Sequence, residues 1–250
     1  MTLPLVAVAH GSRDPRSAAT VMELLDVVRV LRPGLDVRVA FLDLSAPRLG
    51  DVLRAVHGDG HREVVVVPLL LGRAYHARVD VPGAVADVQR WSPQLDVRIA
   101  DVLGPDPWLE SAALRRLAEV GVRSGDPELG IVLAGAGSSD AAANAAVASV
   151  ARRWAAGAGW AGVEPAFAAA ASPDVPTAVN RLRARGARRI AVASWFLAPG
   201  LLPDRIASLA EEAAPGTVMA APLGDDPEVA ELVLHRYTAA STTGLSVQYA

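Results

Sequence analysis

The chain has 250 residues, a formal net charge of −3 and a hydrophobic fraction of 52%, which allows one large domain or two of about 120 residues. This mildly acidic balance argues against a nucleic-acid or membrane-surface partner, because both favour basic proteins. The absence of cysteine excludes disulfides, thiolate metal sites and thiol catalysis, and all 24 of the Lys and Arg residues are arginine.

Short apolar runs alternate with amphipathic stretches along the first half of the chain. The runs predict strands at Leu3–Ala9, Leu35–Leu42, Glu63–Leu71 and Leu95–Val102. The stretches between and after them predict helices at Arg16–Leu31, Pro47–His57, Val79–Trp91 and Pro107–Val120. The third predicted strand is apolar at nearly every position, as expected for a strand covered on both faces. This βα alternation predicts a parallel, doubly wound sheet.

The same alternation returns in the second half, after a turn-rich stretch at residues 121–130. The predicted strands are Gly130–Ala134, Val163–Ala169, Arg189–Leu197 and Thr217–Ala221. The predicted helices are Ala141–Ala156, Val175–Arg185, Pro203–Ala214 and Pro227–Arg236. The polar tail Thr238–Ala250 is expected to be loosely ordered.

The two halves align with each other at a shift of 126 residues. "AHGSRD" (Ala9–Asp14) aligns with "GAGSSD" (Gly135–Asp140), and "FLDLSAP" (Phe41–Pro47) aligns with "FAAAASP" (Phe167–Pro173). A repeat of four βα pairs predicts two similar flavodoxin-like domains, residues 1–124 and 125–250. Each is expected to hold a four-stranded parallel sheet of order 2-1-3-4, flanked by helices.

Three polar residues of the first half have apolar counterparts in the second. His10 aligns with Ala136, Asp43 with Ala169, and His76 with Leu202. Taken alone, each is more often a loop or capping residue. Because the second half has the same scaffold without all three, a chemical role is the better interpretation of the set. All three follow predicted strands, whose carboxyl ends converge where open α/β sheets bind ligands. Two imidazoles and one carboxylate suit a divalent Fe, Co, Ni or Zn ion and leave positions open for a substrate.

The residues around these three are candidates for substrate contacts. Gly11 would let the backbone approach a ligand closely. Arg13, Arg73 and Arg78 would bind anionic groups. The predicted contacts are Gly11, Ser12, Arg13, Arg73, Tyr75 and Arg78. Ser12 and Asp14 also resemble a helix start, and capping is the favoured interpretation of Asp14 because Asp140 repeats it.

Four segments resemble the class II chelatases, specifically the sirohydrochlorin cobalt/iron chelatase family. They are "VAHGSRDPR", "FLDLSAP", "PLLLGRAYHARVDVP" and, in the second half, "FLAPGLLPDRI". The resemblance covers nearly the whole chain except the tail. In that family, two histidines of the N-terminal half bind the incoming metal and assist pyrrole deprotonation, and they correspond to His10 and His76. The third ligand is often glutamate, so Asp43 is one methylene shorter than the family pattern.

The resemblance implies a lyase that inserts Fe2+, Co2+ or, as a further option, Ni2+ into sirohydrochlorin, with no organic cofactor and no ATP. Its partner would be this tetrapyrrole, whose eight carboxylates suit a chain rich in arginine. Iron would imply sirohaem synthesis and cobalt would imply the cobalamin route. Neither a basic leader nor an apolar run of about 18 residues occurs, so a cytoplasmic protein without membrane partner is expected, as monomer or homodimer.

Two other functions remain open at this point. A non-catalytic tetrapyrrole or metal carrier would need the same binding residues but would show no turnover. A phosphoryl-transfer enzyme with His10 as nucleophile would leave Asp43 and His76 unexplained. The stretch "GAGSSD" lacks the lysine of a phosphate-binding loop.

Overall fold

A computed structural model describes residues 2–72 and 79–242 of the chain. The first half contains β1 (Leu5–Ala9), α1 (Pro15–Leu31), β2 (Val37–Phe41), α2 (Leu49–Gly58), β3 (Glu63–Pro68), α3 (Val81–Trp91), β4 (Asp96–Ile99) and α4 (Pro107–Glu119). The second half contains β5 (Leu129–Gly135), α5 (Ala141–Gly157), β6 (Gly162–Phe167), α6 (Val175–Ala184), β7 (Arg189–Ser194), α7 (Leu201–Ala213), β8 (Val218–Met219) and α8 (Pro227–Thr242).

The strands form two four-stranded sheets, in the orders β2-β1-β3-β4 and β6-β5-β7-β8. All strand pairs within them are parallel. This confirms the expected α/β fold class, with two similar flavodoxin-like sheets flanked by helices. In the first sheet, β2 lies on one side of β1 and β3 lies on the other, and β6 and β7 flank β5 in the same way. Open α/β folds bind ligands at such a point, where the order of the strands changes direction.

The apolar runs form these strands because both faces of the central strands are covered. In the first sheet, Val6, Val8 and Val66 pack into a buried cluster with the apolar faces of α2 and α3. The alternate residues of the same strands, such as Leu5 and Val65, are also fully buried. This double coverage explains why "EVVVVP" carries no polar alternation.

The packing units do not follow the boundary of the repeats. One unit holds the described residues up to Gly104 together with those from Gly224, and the other holds Pro105–Leu223. Helix α8 therefore packs on α1 and β3, and α4 packs on β7. The division at residues 124 and 125 stays a prediction about the repeat in sequence. In the fold, α8 packs on the sheet of the first repeat and α4 on the sheet of the second.

Helix α8 also continues past the predicted helix end. Tyr237 is buried, and its hydroxyl donates a 2.7 Å hydrogen bond to the carbonyl of Leu3. Arg236 donates to the carbonyls of Val102 and Leu103, at 2.8 and 3.0 Å. These contacts hold the helix, which extends to Thr242. The expectation of loose order is therefore wrong for Thr238–Thr242, which are helical. Among the described helices, none combines the length and apolarity needed to cross a bilayer.

Asp174 offers a test of the local physics at the start of α6. Its carboxylate accepts a 3.0 Å hydrogen bond from the backbone N–H of Thr177. Hydrogen bonds from Thr177, side chain first and backbone second, lower the pKa of Asp174. Asp174→Ala is expected to cost about 1 kcal/mol of unfolding free energy at neutral pH.

The pH dependence of that cost follows from the sign of the pKa shift. Because the folded pKa is depressed, the carboxylate contributes fully above its unfolded pKa of about 3.9 and loses its contribution as pH falls through the lower folded value. Urea unfolding of both proteins across this acidic range measures the difference. A difference that stays constant throughout would contradict a charge-dependent cap.

Candidate functional site

His10 and Asp43 lie next to each other at the carboxyl ends of β1 and β2. The parallel register pairs Ala9 with Phe41, and the ladder continues beyond the strands. The backbone N–H of Leu42 donates to the carbonyl of Ala9 at 3.0 Å, and the N–H of Asp43 donates to the carbonyl of His10 at 2.9 Å. Both residues are exposed. The predicted pair of a histidine and a carboxylate is therefore brought together at one edge of the sheet.

Gly11 makes this close approach of the two loops possible. Its φ is +96°, and a Cβ atom added to it would lie 1.7 Å from the carbonyl oxygen of Asp43. Gly137 has a φ of +84°, and its Cβ would lie 1.9 Å from the carbonyl oxygen of Ala169. Glycine is thus needed for packing in both units. A contact of Gly11 with substrate stays a prediction.

Ser12 is held by hydrogen bonds within the loops. Its hydroxyl accepts from the N–H of Asp14 at 3.0 Å. The Ser45 hydroxyl accepts from the N–H of Ser12 at 3.1 Å and donates to its carbonyl at 2.9 Å. In the second unit, the amide of Asn144 binds both backbone groups of Ser138 in the same way, at 2.9 and 2.7 Å. The role of Ser45 could not be predicted from the repeat, because the second unit makes the equivalent hydrogen bonds with Asn144, which does not align with Ser45.

The capping interpretation of Asp14 is confirmed. Its carboxylate accepts from the N–H of Arg16 at 2.9 Å, and Asp140 accepts from the N–H of Ala142 at the same distance. The side-chain hydrogen bond from Arg16 lowers the pKa of Asp14. Arg13, one residue earlier, is exposed on the loop that follows His10, and its role in binding an anionic substrate stays a prediction.

Asp43 has a cationic neighbour that sequence reasoning did not find. Nη1 of Arg48 donates to Oδ1 of Asp43 at 2.7 Å and to the carbonyl of Leu42 at 2.9 Å. The hydrogen bond from Arg48 is the main cause of a lowered pKa for Asp43, followed by the N–H of Leu44 and smaller contributions that include the charge of His10. The carboxylate is 60% exposed and is held in its ionised form.

The turn between Asp43 and Arg48 has the same backbone in both units. Leu44 has a φ of 60° and Ala170 has a φ of 56°, although neither is glycine. The N–H of Phe41 donates to the carbonyl of Pro47 at 2.9 Å, and the matching bond in the second unit has the same length. Non-glycine residues in this region are strained and are frequent near functional sites. The frame that presents Asp43 thus exists in both units, but only the first unit carries the carboxylate.

The remaining predicted site residues lie outside the described residues. They are Arg73, Tyr75, His76 and Arg78. Within the part of the chain that the structure describes, no group of three or more potential metal-binding side chains occurs. A site with three protein ligands around His10 and Asp43 would therefore need a residue from elsewhere, and His76 stays the predicted one.

Comparisons with known proteins agree with the arrangement of the two halves. The model of the CbiX family matches residues 4–120 and 130–240. A sirohydrochlorin ferrochelatase of Priestia megaterium is 27% identical over 202 residues, covering 80% of this chain and 74% of the relative. A sirohydrochlorin cobaltochelatase of the same organism is 23% identical over 211 residues, covering 82% and 67%. The structure of SirB from Bacillus subtilis with Fe3+ shares the fold, with a TM-score of 0.80, 21% identity and full coverage of both chains.

Proposed function

The chain belongs to the CbiX family, and we propose that it is a sirohydrochlorin chelatase, which inserts Fe2+ or Co2+ into sirohydrochlorin. The observation that carries the proposal is the adjacency of His10 and Asp43 on a backbone that the second unit repeats with alanine at both positions. The scaffold does not need these side chains, so their presence together is best explained by chemistry. The proposed substrate and the two metals are those of the sirohydrochlorin ferrochelatase and cobaltochelatase to which the chain is similar.

The reaction needs a group that both binds metal and accepts protons. Two pyrrole protons must leave the macrocycle as the divalent ion enters it. A neutral imidazole can serve as metal ligand and as proton acceptor, which are the roles we assign to His10 and His76. Asp43, ionised and beside His10, adds a negative charge that favours the ion at this edge of the sheet. We assign Asp43 as the third metal ligand, with a side chain one methylene shorter than the glutamate that is frequent in the family.

The substrate carries carboxylates, and arginine suits them because its planar fork can donate two parallel hydrogen bonds. We assign this role to Arg13, Arg73 and Arg78, with further contacts from Gly11, Ser12 and Tyr75. The second half, residues 125–250, is proposed to be a degenerate repeat that lacks the metal site. The alignment of His76 with Leu202 supports that assignment, as do the two alanines described above.

A multiple-turnover assay tests the proposal directly. The full chain is mixed with excess sirohydrochlorin and Fe2+ under anaerobic conditions, or with Co2+ or Ni2+, and the loss of the free-base spectrum is followed. We expect many metallated macrocycles per protein molecule, without ATP, at a rate well above the protein-free reaction. Binding of one equivalent with no acceleration would instead identify a tetrapyrrole or metal carrier. The ratio of the rates for the three metals would identify the preferred ion.

A further inference from the structure

Arg48 is held beside the candidate metal site by two hydrogen bonds from one nitrogen of its guanidinium. Its guanidinium binds the carboxylate of Asp43 and the carbonyl of Leu42, which both belong to the loop that leaves β2. Together with Leu49, Val88 and Leu42 it lines a groove of about 390 Å³ between α2 and α3. The Arg48 side chain is 50% exposed, so its charge is only partly screened by solvent. It therefore places a persistent positive charge next to Asp43.

The position of Arg48 in the fold is unfavourable for a cation. It occupies the capping position at the start of α2 and makes no capping hydrogen bond with its side chain. A positive charge at a helix N-terminus opposes the helix dipole, and a missing cap costs about 1 kcal/mol. The matching residue in the second unit is Asp174, a conventional cap. In the first unit, Arg48 accompanies the carboxylate of Asp43. In the second unit, the capping residue Asp174 accompanies Ala169, the counterpart of Asp43.

This correlation points to a role in the chemistry of Asp43. We propose that Arg48 is a positioning residue that weakens the hold of Asp43 on the divalent ion, so that the ion passes on to the macrocycle. The inference rests on the proposed function. A chelatase must bind its metal substrate and then release it, so a ligand set that binds too tightly would slow insertion. Arg48 acts through Asp43, because its guanidinium competes with the incoming dication for the same carboxylate.

Co2+ binding to the full chain without tetrapyrrole is the first test. Arg48→Met keeps the aliphatic packing and removes the charge, and it is expected to bind Co2+ about tenfold more tightly than the wild type by calorimetry. Arg48→Lys keeps the charge and should stay close to the wild type. Arg48→Gln is a second neutral variant, in case the methionine variant does not fold. Equal or weaker Co2+ binding by a folded neutral variant would overturn the proposal.

Arg54 provides the matched control. It also lines the groove, but it pairs with Asp51 one turn further along α2. Arg54→Met removes the same charge from the same helix and should leave Co2+ affinity unchanged. An equal gain in both methionine variants would mean a general field effect and would overturn a specific role of Arg48. In the Asp43→Ala background, Arg48→Met should have no effect on Co2+ affinity, because the two residues act as a pair.

Insertion kinetics separate this inference from the proposed function. In Arg48→Met, both the KM for Co2+ and kcat are expected to fall, because the ion is bound more tightly and released more slowly. A structural defect would lower kcat without lowering that KM. If the wild type itself shows no turnover, the proposed function fails, while the Co2+ titrations still decide whether Arg48 weakens metal binding. A wild type that turns over, with a neutral variant that matches it in KM and kcat, overturns the inference alone.

Discussion

His10→Ala is expected to lower kcat/KM for metal insertion by at least about a hundredfold while the protein stays folded. The substitution removes an imidazole that is proposed both to bind the ion and to accept a pyrrole proton. The fold should tolerate it because Ala136 occupies the matching position: its carbonyl accepts from Ala169 at 3.0 Å, as that of His10 accepts from Asp43 at 2.9 Å. Insertion rates and thermal unfolding of the same preparation measure the two effects separately.

The other histidines make this experiment specific. His76→Ala should show a loss of the same order, because the two imidazoles are proposed to act on the same ion. His61 lies before β3, far along the strand direction from the carboxyl edge, and its side chain is 37% exposed. His61→Ala should therefore insert metal at the wild-type rate. Wild-type insertion by both the His10 and the His76 variants would remove the chemical basis of the assignment.

The strands and their order could be predicted because they depend on simple patterns. Uninterrupted apolar runs such as Glu63–Pro68 identify strands covered on both faces, and short βα connections restrict the order of strands in a parallel sheet. The adjacency of His10 and Asp43 followed from the same reasoning, since each ends one of two neighbouring strands. The internal repeat then indicated which residues are candidates for chemistry, because the second half repeats the scaffold without them.

Arg48 and the exchange of helices could not be predicted, for different reasons. Arg48 reaches back to Asp43 through a turn in which Leu44 has a positive φ, and side-chain type alone does not indicate that conformation. The apolar face of α4 or α8 indicates that the helix packs on a sheet. It does not indicate which sheet, because the two repeats form two similar ones. Tertiary packing decided between them, through contacts such as the one from Tyr237 to Leu3.

Gly11→Ala is expected to be among the most damaging single substitutions in the first unit. A Cβ atom 1.7 Å from the carbonyl oxygen of Asp43 cannot be accommodated by a rotamer change, because the obstacle is backbone. The loops must separate, and alanine is also strained at a φ of +96°. We expect a loss of about 3 kcal/mol or more in unfolding free energy, measured by urea denaturation.

The comparison with Gly137→Ala distinguishes instability from loss of chemistry. Gly137 meets the same kind of obstacle, the carbonyl of Ala169 at 1.9 Å, so its replacement should destabilise the protein by a similar amount. Below the unfolding transition, however, Gly137→Ala should retain nearly wild-type insertion per folded molecule. Gly11→Ala should not, because separating the loops breaks the 2.9 Å hydrogen bond between Asp43 and His10 and moves the two side chains apart. Equal specific activity of the two folded variants would mean that the spacing of His10 and Asp43 does not control the reaction.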